Sequence, residues 1–289
     1  MMFSPYILHL VVLIAIYGIL AMALSFVMGH GGVLQFGHVA LFGIGAYASA
    51  ILTTIHGFSF SIGFLGAIAG GGLGALFLSA LIRRVRGDFM ALLTLFFAFV
   101  FYAIALNVPE LTRGALGIPA IARPALVASL PSYALASMII LVVVYFLLTR
   151  ILHSPFGLVM GAMRDDELGA RVLGKNTAHV QRVALVLSGM VAGLAGALYA
   201  YYIGFIDPSS FYLGDLVIIV TAVVLGGLGS LEGSVIGVAI YFLIPEALRF
   251  VDLPAETLGA VRQIIFTTLL LLIILVRPRG ILGKVSLES

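Results

Sequence analysis

Long apolar runs, separated by short polar breaks, limit what this chain can fold into more than any single residue does. Residues 6–28 contain no Asp, Glu, Lys or Arg. About 20 apolar residues of helix cross the hydrocarbon core of a bilayer. Backbone amides in lipid must be paired internally, which leaves helices or closed barrels. The runs do not alternate with a period of two, so helices are expected. Of the 289 residues, 62% are hydrophobic and only 9% charged, and the mean hydropathy is +1.23. Polar groups are too few to cover a water-facing surface, so membrane lipid must be part of the solvent. The chain has no cysteine, so it has no disulfide, thiolate metal site or cysteine nucleophile. The first run lacks a basic leader and is long enough to span, so it is expected to be a permanent helix.

The expected fold is all-α and polytopic, with about eight or nine crossings. The runs are Tyr6–Met28, Val39–Ile55, Ile62–Ile82, Phe89–Leu106, Tyr133–Leu148, Val183–Ile203, Leu213–Leu228, Val235–Leu248 and Leu258–Val276. The second, seventh and eighth are short, which suggests broken or re-entrant segments. Basic residues cluster at Arg83, Arg84 and Arg86, between Arg150 and Arg182, and at Arg277, Arg279 and Lys284. With nine crossings the three clusters share a side, expected to be cytoplasmic. One transmembrane domain is expected over 1–289, with a cytoplasmic loop at 150–182 and an outer loop at 107–132. Four prolines make the outer loop an irregular cap.

The cytoplasmic loop is the most polar stretch. Asp165, Asp166 and Glu167 suit a helix N-terminus, Leu168 and Val172 share a face, and Gly174 can close the helix in the left-handed conformation. Thr177 is the expected N-cap of the next span. The loop reads as a short amphipathic helix, either a docking surface for a cytoplasmic partner or a solvated connector.

Glycine carries two further signals. Gly66, Gly70 and Gly74, and separately Ser188, Ala192 and Gly196, form small-residue stripes for close helix packing. Breaks at Gly29–Gly37 and Gly226–Gly233 each precede a short run. Broken helices at membrane depth line cavities or are buried in protein. Gly29, Gly32, Gln35, Gly37 and His38, with Gly226, Gly227 and Gly229, are therefore candidates for a solute path. His30 and His38 lack a third ligand and fixed geometry, so no metal site is expected. Asp207, Asp215, Glu232, Glu246 and Arg262 lie near the ends of their runs. Span centres nearly free of charge favour a conduit driven from outside the chain. Gly280–Lys284 lacks the spacing of a phosphate loop.

Ala162-Met163-Arg164-Asp165-Asp166-Glu167, with Ala170 and Leu173-Gly174, resembles the coupling loop of branched-chain amino-acid ABC importer permeases, the LivM-like group. In the general Glu-Ala-Ala-three residues-Gly pattern, Ala170 and Gly174 fit, and Glu167 stands one residue early. Gly29–His38 with Phe42–Tyr47, Arg84–Phe89 with Leu93–Leu95, Ala192–Tyr199 and Gly226–Leu231 resemble further signatures of the group, in order along nearly the whole chain. Glu232 and Ser234 depart from it, as does Leu111–Gly117 of the outer loop. The resemblance implies that Arg164, Asp165, Asp166, Glu167, Ala170, Arg171 and Gly174 couple the spans to ATPases. It implies a second homologous permease, two ATP-binding cassette subunits, an extracytoplasmic solute-binding protein and a bacterial or archaeal inner membrane. ATP and Mg would be bound by the partners; no cofactor in this chain and no nucleic acid are implied. The solute would be a branched-chain amino acid or a related small molecule. The alternatives are a stand-alone secondary transporter or channel, which needs intramembrane charge, and an intramembrane enzyme.

Overall fold

The computed structural model describes residues 5–83, 85, 87–247, 264, 268 and 280–283. Its elements are helices α1 (Pro5–Ser25), α2 (His38–Ala50), α3 (Phe60–Ile82), α4 (Asp88–Asn107), α5 (Pro109–Thr112), α6 (Leu130–Leu152), α7 (Pro155–Asp165), α8 (Glu167–Val172), α9 (Thr177–Ile203), α10 (Leu213–Gly226) and α11 (Leu231–Ala247). Wider π-helical turns extend α1 through Phe26–His30 and α2 through Ile51–Ile55. Seven described helices are long and apolar enough to cross a membrane, and a shorter apolar helix, Leu231–Leu243, follows them. The expected run Leu258–Val276 lies outside the described residues, apart from helical positions 264 and 268.

Burial separates inner from outer helices. The apolar window of α1 is 78% buried and that of α9 72%, against 17% for α6. Leu73 and Phe77 on α3, Phe96 on α4, and Leu135 and Phe146 on α6 point outward, as lipid contact allows.

Lipid tails are as apolar as leucine, so helix association needs close packing and hydrogen bonds. Glycine supplies the packing at one seam. A Cβ on Gly193 of α9 would stand 2.2 Å from the Ala67 carbonyl oxygen, and one on Gly45 of α2 would stand 2.3 Å from the Gly193 Cα. A Cβ on Gly71 would stand 2.1 Å from the Gly189 carbonyl oxygen. α2, α3 and α9 therefore meet backbone to backbone. The expected stripe Gly66, Gly70 and Gly74 faces α2 instead, against Leu52, Ala48 and Ile44. The row one residue on, with Ala67, Gly71 and Ala75, meets α9, because α3 lies wedged between two helices and needs small residues on two faces. Ser188 of the second stripe also donates to the Ala23 carbonyl of α1 at 2.7 Å. Gly193→Val is expected to destabilise the fold by about 3 kcal/mol or more, since backbone atoms cannot rotate away. Loss of the monodisperse peak in detergent chromatography is the readout.

Two segments set depth. Residues 31–37 follow the His30 end of the α1 run, and His38 then bonds through Nε2 to the Leu20 carbonyl at 3.1 Å, so α2 starts well inside the bundle. After α9, Asp207 caps the 3₁₀ turn Pro208–Phe211, accepting from the Ser210 amide at 3.2 Å and from the Ser209 and Ser210 hydroxyls. Burial pushes the Asp207 carboxyl up, but those hydrogen bonds outweigh it and hold it below the ordinary value. The turn plugs Phe211 among Phe42, Tyr47 and Tyr199, and α10 begins below it. The outer loop contains the short helix α5 and two 3₁₀ turns, with Pro109 at a first-turn position that needs no amide. Ile118 and Ile206 exchange backbone bonds of 2.8 and 3.2 Å, which ties this loop to the end of α9.

Candidate functional site: two helix breaks and the loop beneath them

The two glycine breaks meet. A Cβ on Gly29 would stand 2.2 Å from the backbone nitrogen of Gly229. Beside this contact Ser25 Oγ donates to the Ser230 carbonyl at 3.4 Å. Gly229 has φ +75° and Gly227 φ +110°, conformations that favour glycine, so the chain turns sharply between α10 and α11. The second break is shorter than expected: Gly233 lies inside α11, where it packs on Gly226. Ser230 explains the early restart, since its Oγ accepts from the Gly233 amide at 3.0 Å and caps the helix.

The remaining path candidates divide. Gly32 (φ +66°) lies against Arg164, with its Cβ position 3.0 Å from the Arg164 side chain. Gly37 packs on the Thr94 carbonyl of α4, and Thr94 Oγ1 accepts from the Phe36 amide at 3.0 Å. Gln35 is fully buried, and both of its side-chain polar atoms lack a hydrogen-bond partner, as does Nδ1 of the buried His38. A buried amide without partners is costly. Gly226 serves the α10–α11 hairpin, and Gly227 receives residue Gly280. Amides of Ile281 and Leu282 bond the Leu225 and Gly226 carbonyls at 3.0 and 2.9 Å, so residues 280–283 cap the end of α10.

Under the breaks lies the polar loop. α7 opens with Pro155 at a first-turn position and buries Met160 and Met163. Asp165 ends α7 rather than starting a helix, and it grips Arg164 at 2.6 and 2.8 Å. Arg164 Nη1 donates to the Gly29 carbonyl at 3.2 Å. Asp166 N-caps α8, accepting from the Gly169 amide at 2.9 Å. Glu167 pairs with Arg171, and Arg171 Nε donates to Thr177 Oγ1 at 2.9 Å. Thr177 is recruited into that network, so the preceding Asn176 caps α9 instead, accepting from the His179 amide at 3.0 Å. Ala170 is buried, and Gly174 (φ +76°) closes α8, its amide donating a hydrogen bond to the Arg171 carbonyl at 2.9 Å. Leu168, Val172 and Leu173 are 71%, 81% and 78% exposed. Polar groups brace α8 from behind while its apolar side chains face outward.

Two cavities flank this joint. One, of about 190 Å³, is lined by Gly31, Gly32, Arg83, Glu167 and Arg171, which places the end of α3 and the polar loop on one side of the bundle. The other, of about 350 Å³, is lined by His30, His153, Arg164, Gly229 and Glu232. Among the described residues no group of three potential ligands could hold a metal ion. Met160, Ser25 and Ser230, which build the joint, carry no sequence signal of their own.

Residues 6–275 match the family model described as "Branched-chain amino acid transport system / permease component". The chain is 30% identical to the high-affinity branched-chain amino acid transport system permease protein LivM of Salmonella typhimurium, over 92% of this chain and 68% of the relative. It is 28% identical to the corresponding LivH protein of Escherichia coli, over 94% of this chain and 93% of the relative. A probable LivM permease of Methanocaldococcus jannaschii is 27% identical over 49% of this chain and 43% of the relative. No solved structure matches. The family match covers nearly all of the spanning region, and the chain belongs to the family of branched-chain amino acid transport system permease components.

Proposed function

We propose that this multi-pass chain is one permease subunit of an ABC importer in a bacterial or archaeal inner membrane. It forms part of the path for a branched-chain amino acid or a closely related small solute. Likeness to both LivM and LivH supports a pair of related permeases. Two ATPase subunits, which bind ATP and Mg, dock on α8, and a solute-binding protein docks on the outer loop. The observation that carries the reading is the bare apolar face of α8, which begins three residues after Arg164, whose guanidinium holds the carbonyl of a broken helix. ATP-driven closure of the ATPases pushes α8 and α7 together. Arg164 passes the displacement to Gly29, and Gly29 bears on Gly229. Rigid-body rocking of helices around a fixed site is one way a transporter alternates access.

Affinity purification from native membranes tests this. Two ATPases and a second permease are expected to accompany the chain, with hydrolysis raised by a loaded binding protein. A lone chain that takes up solute without ATP would overturn it. Within the complex, the double substitution L168D/V172D is expected to weaken ATPase binding by about 2 kcal/mol or more, the scale of an interface hot spot. The ATPases would then be lost in size-exclusion chromatography while the permease keeps its melting temperature.

A further inference from the structure

Asp215 is near the end of its own helix but not near the membrane surface. Its Oδ1 accepts from Tyr17 Oη at 2.6 Å. Tyr17 lies midway along the continuous helical run Pro5–His30, whose length of 26 residues spans the bilayer. The carboxylate therefore stands at mid-depth. The outer segment before it folds inward behind Phe211, so α10 starts deep. This corrects the expectation that charge is confined to span ends.

A carboxylate at this depth is costly and marks a functional site unless it is paired. The ion pairs among the described residues, Arg164–Asp165 and Arg171–Glu167, both lie on the cytoplasmic loop. What surrounds Asp215 is aromatic. Tyr199 and Tyr241 stand within electrostatic range of it. The Tyr17 ring meets Tyr199 at 6.4 Å and Phe242 at 5.3 Å. Asp215, Tyr199, Tyr241 and Phe242 are half-buried, so the cluster is not sealed. A carboxylate serving only the dipole of its own helix does not require the bond across to α1 or the aromatic side chains around it. Ring faces attract cations, and a desolvated carboxylate between them suits a primary ammonium. It would repel a solute bearing only a carboxylate.

We propose that Asp215, held by Tyr17 and flanked by Tyr199, Tyr241 and Phe242, is the mid-membrane station that binds the ammonium group of the transported solute. This rests on the reading of the chain as an importer permease for amino acids, and it adds the group by which the permease itself recognises them.

The test uses the complete transporter in proteoliposomes, with leucine and with 4-methylpentanoate, which is leucine without its ammonium. In the wild type, leucine is expected to raise the melting temperature of the complex in the absence of binding protein, and 4-methylpentanoate is not. D215N is expected to abolish that protection and to lower ATP-driven leucine uptake tenfold or more. D215E should recover part of the uptake. Y17F keeps the charge and is expected to raise the KM for uptake with little change in kcat; it serves as the probe if D215N does not fold. D215N that retains leucine protection and uptake would overturn the proposal. So would rescue of D215N by neutralising Arg262, because the carboxylate would then serve an ion pair. Absence of ATP-driven uptake in the wild type would instead sink the importer reading.

Discussion

Replacing Gly29 by valine is expected to abolish transport. The Cβ position of Gly29 lies 2.2 Å from the Gly229 nitrogen and 2.8 Å from its Cα, and both are backbone atoms. No rotamer relieves such a contact, so the two breaks must separate. Overpacking of this kind costs about 1–3 kcal/mol, and more where the surroundings are rigid. The expected result is uptake below a tenth of the wild type. Even alanine should be harmful here, because the first side-chain carbon is already the offending atom. Gly161→Ala provides the control. Nothing lies within 4 Å of its Cβ position on α7, so it should be neutral or stabilise the helix by up to about 1 kcal/mol. Uptake assays beside detergent chromatography separate the outcomes. If G29V transports like the wild type, the breaks do not move against each other as drawn.

Removing the Arg164 guanidinium is expected to uncouple hydrolysis from transport. Arg164→Ala deletes the bond to the Gly29 carbonyl and leaves Asp165 without its partner, while α7 keeps its buried Met160 and Met163. On the proposed reading the ATPases would still dock on α8. ATP hydrolysis should persist, and uptake per ATP should fall by roughly 5–150-fold, the usual range of a coupling free energy of 1–3 kcal/mol. Arg164→Lys should be intermediate, since one ammonium cannot serve the carboxylate and the carbonyl with the fork geometry of a guanidinium. Asp165→Ala should resemble the lysine variant, because Asp165 fixes the direction in which Arg164 reaches. Unchanged uptake in R164A, with normal hydrolysis, would break the proposed link between loop and helix.

The helices were legible because apolar length and the lack of charge dictate them almost alone. Their ends were less so. Run limits such as Tyr133–Leu148 became Leu130–Leu152 because polar residues such as Ser132 and Thr149 complete turns at the bilayer surface. The amphipathic loop and the left-handed Gly174 were readable, since turn and cap chemistry is local. Asn176 displaced Thr177 as a cap because a distant arginine claimed the threonine. Partner choice among glycines was not readable either: a periodic stripe gives a face, not the helix it meets. Depth was the largest gap. Distance from the end of an apolar run suggested that Asp215 is superficial, whereas the inward fold of Pro208–Phe211 carries it to the level of Tyr17. Gln35 and His38 were picked for their place in a break. The structure adds that parts of both are buried without partners, which no local pattern encodes.

The outward apolar face of α8 also bears on the life of the chain in the cell. On the proposed reading, the exposed Leu168, Val172 and Leu173 face the compartment of the docking ATPases, where chaperones and proteases also work. A copy made in excess of those assembly partners would leave this face uncovered, and its abundance would then follow the stoichiometry of the complex as much as its own synthesis.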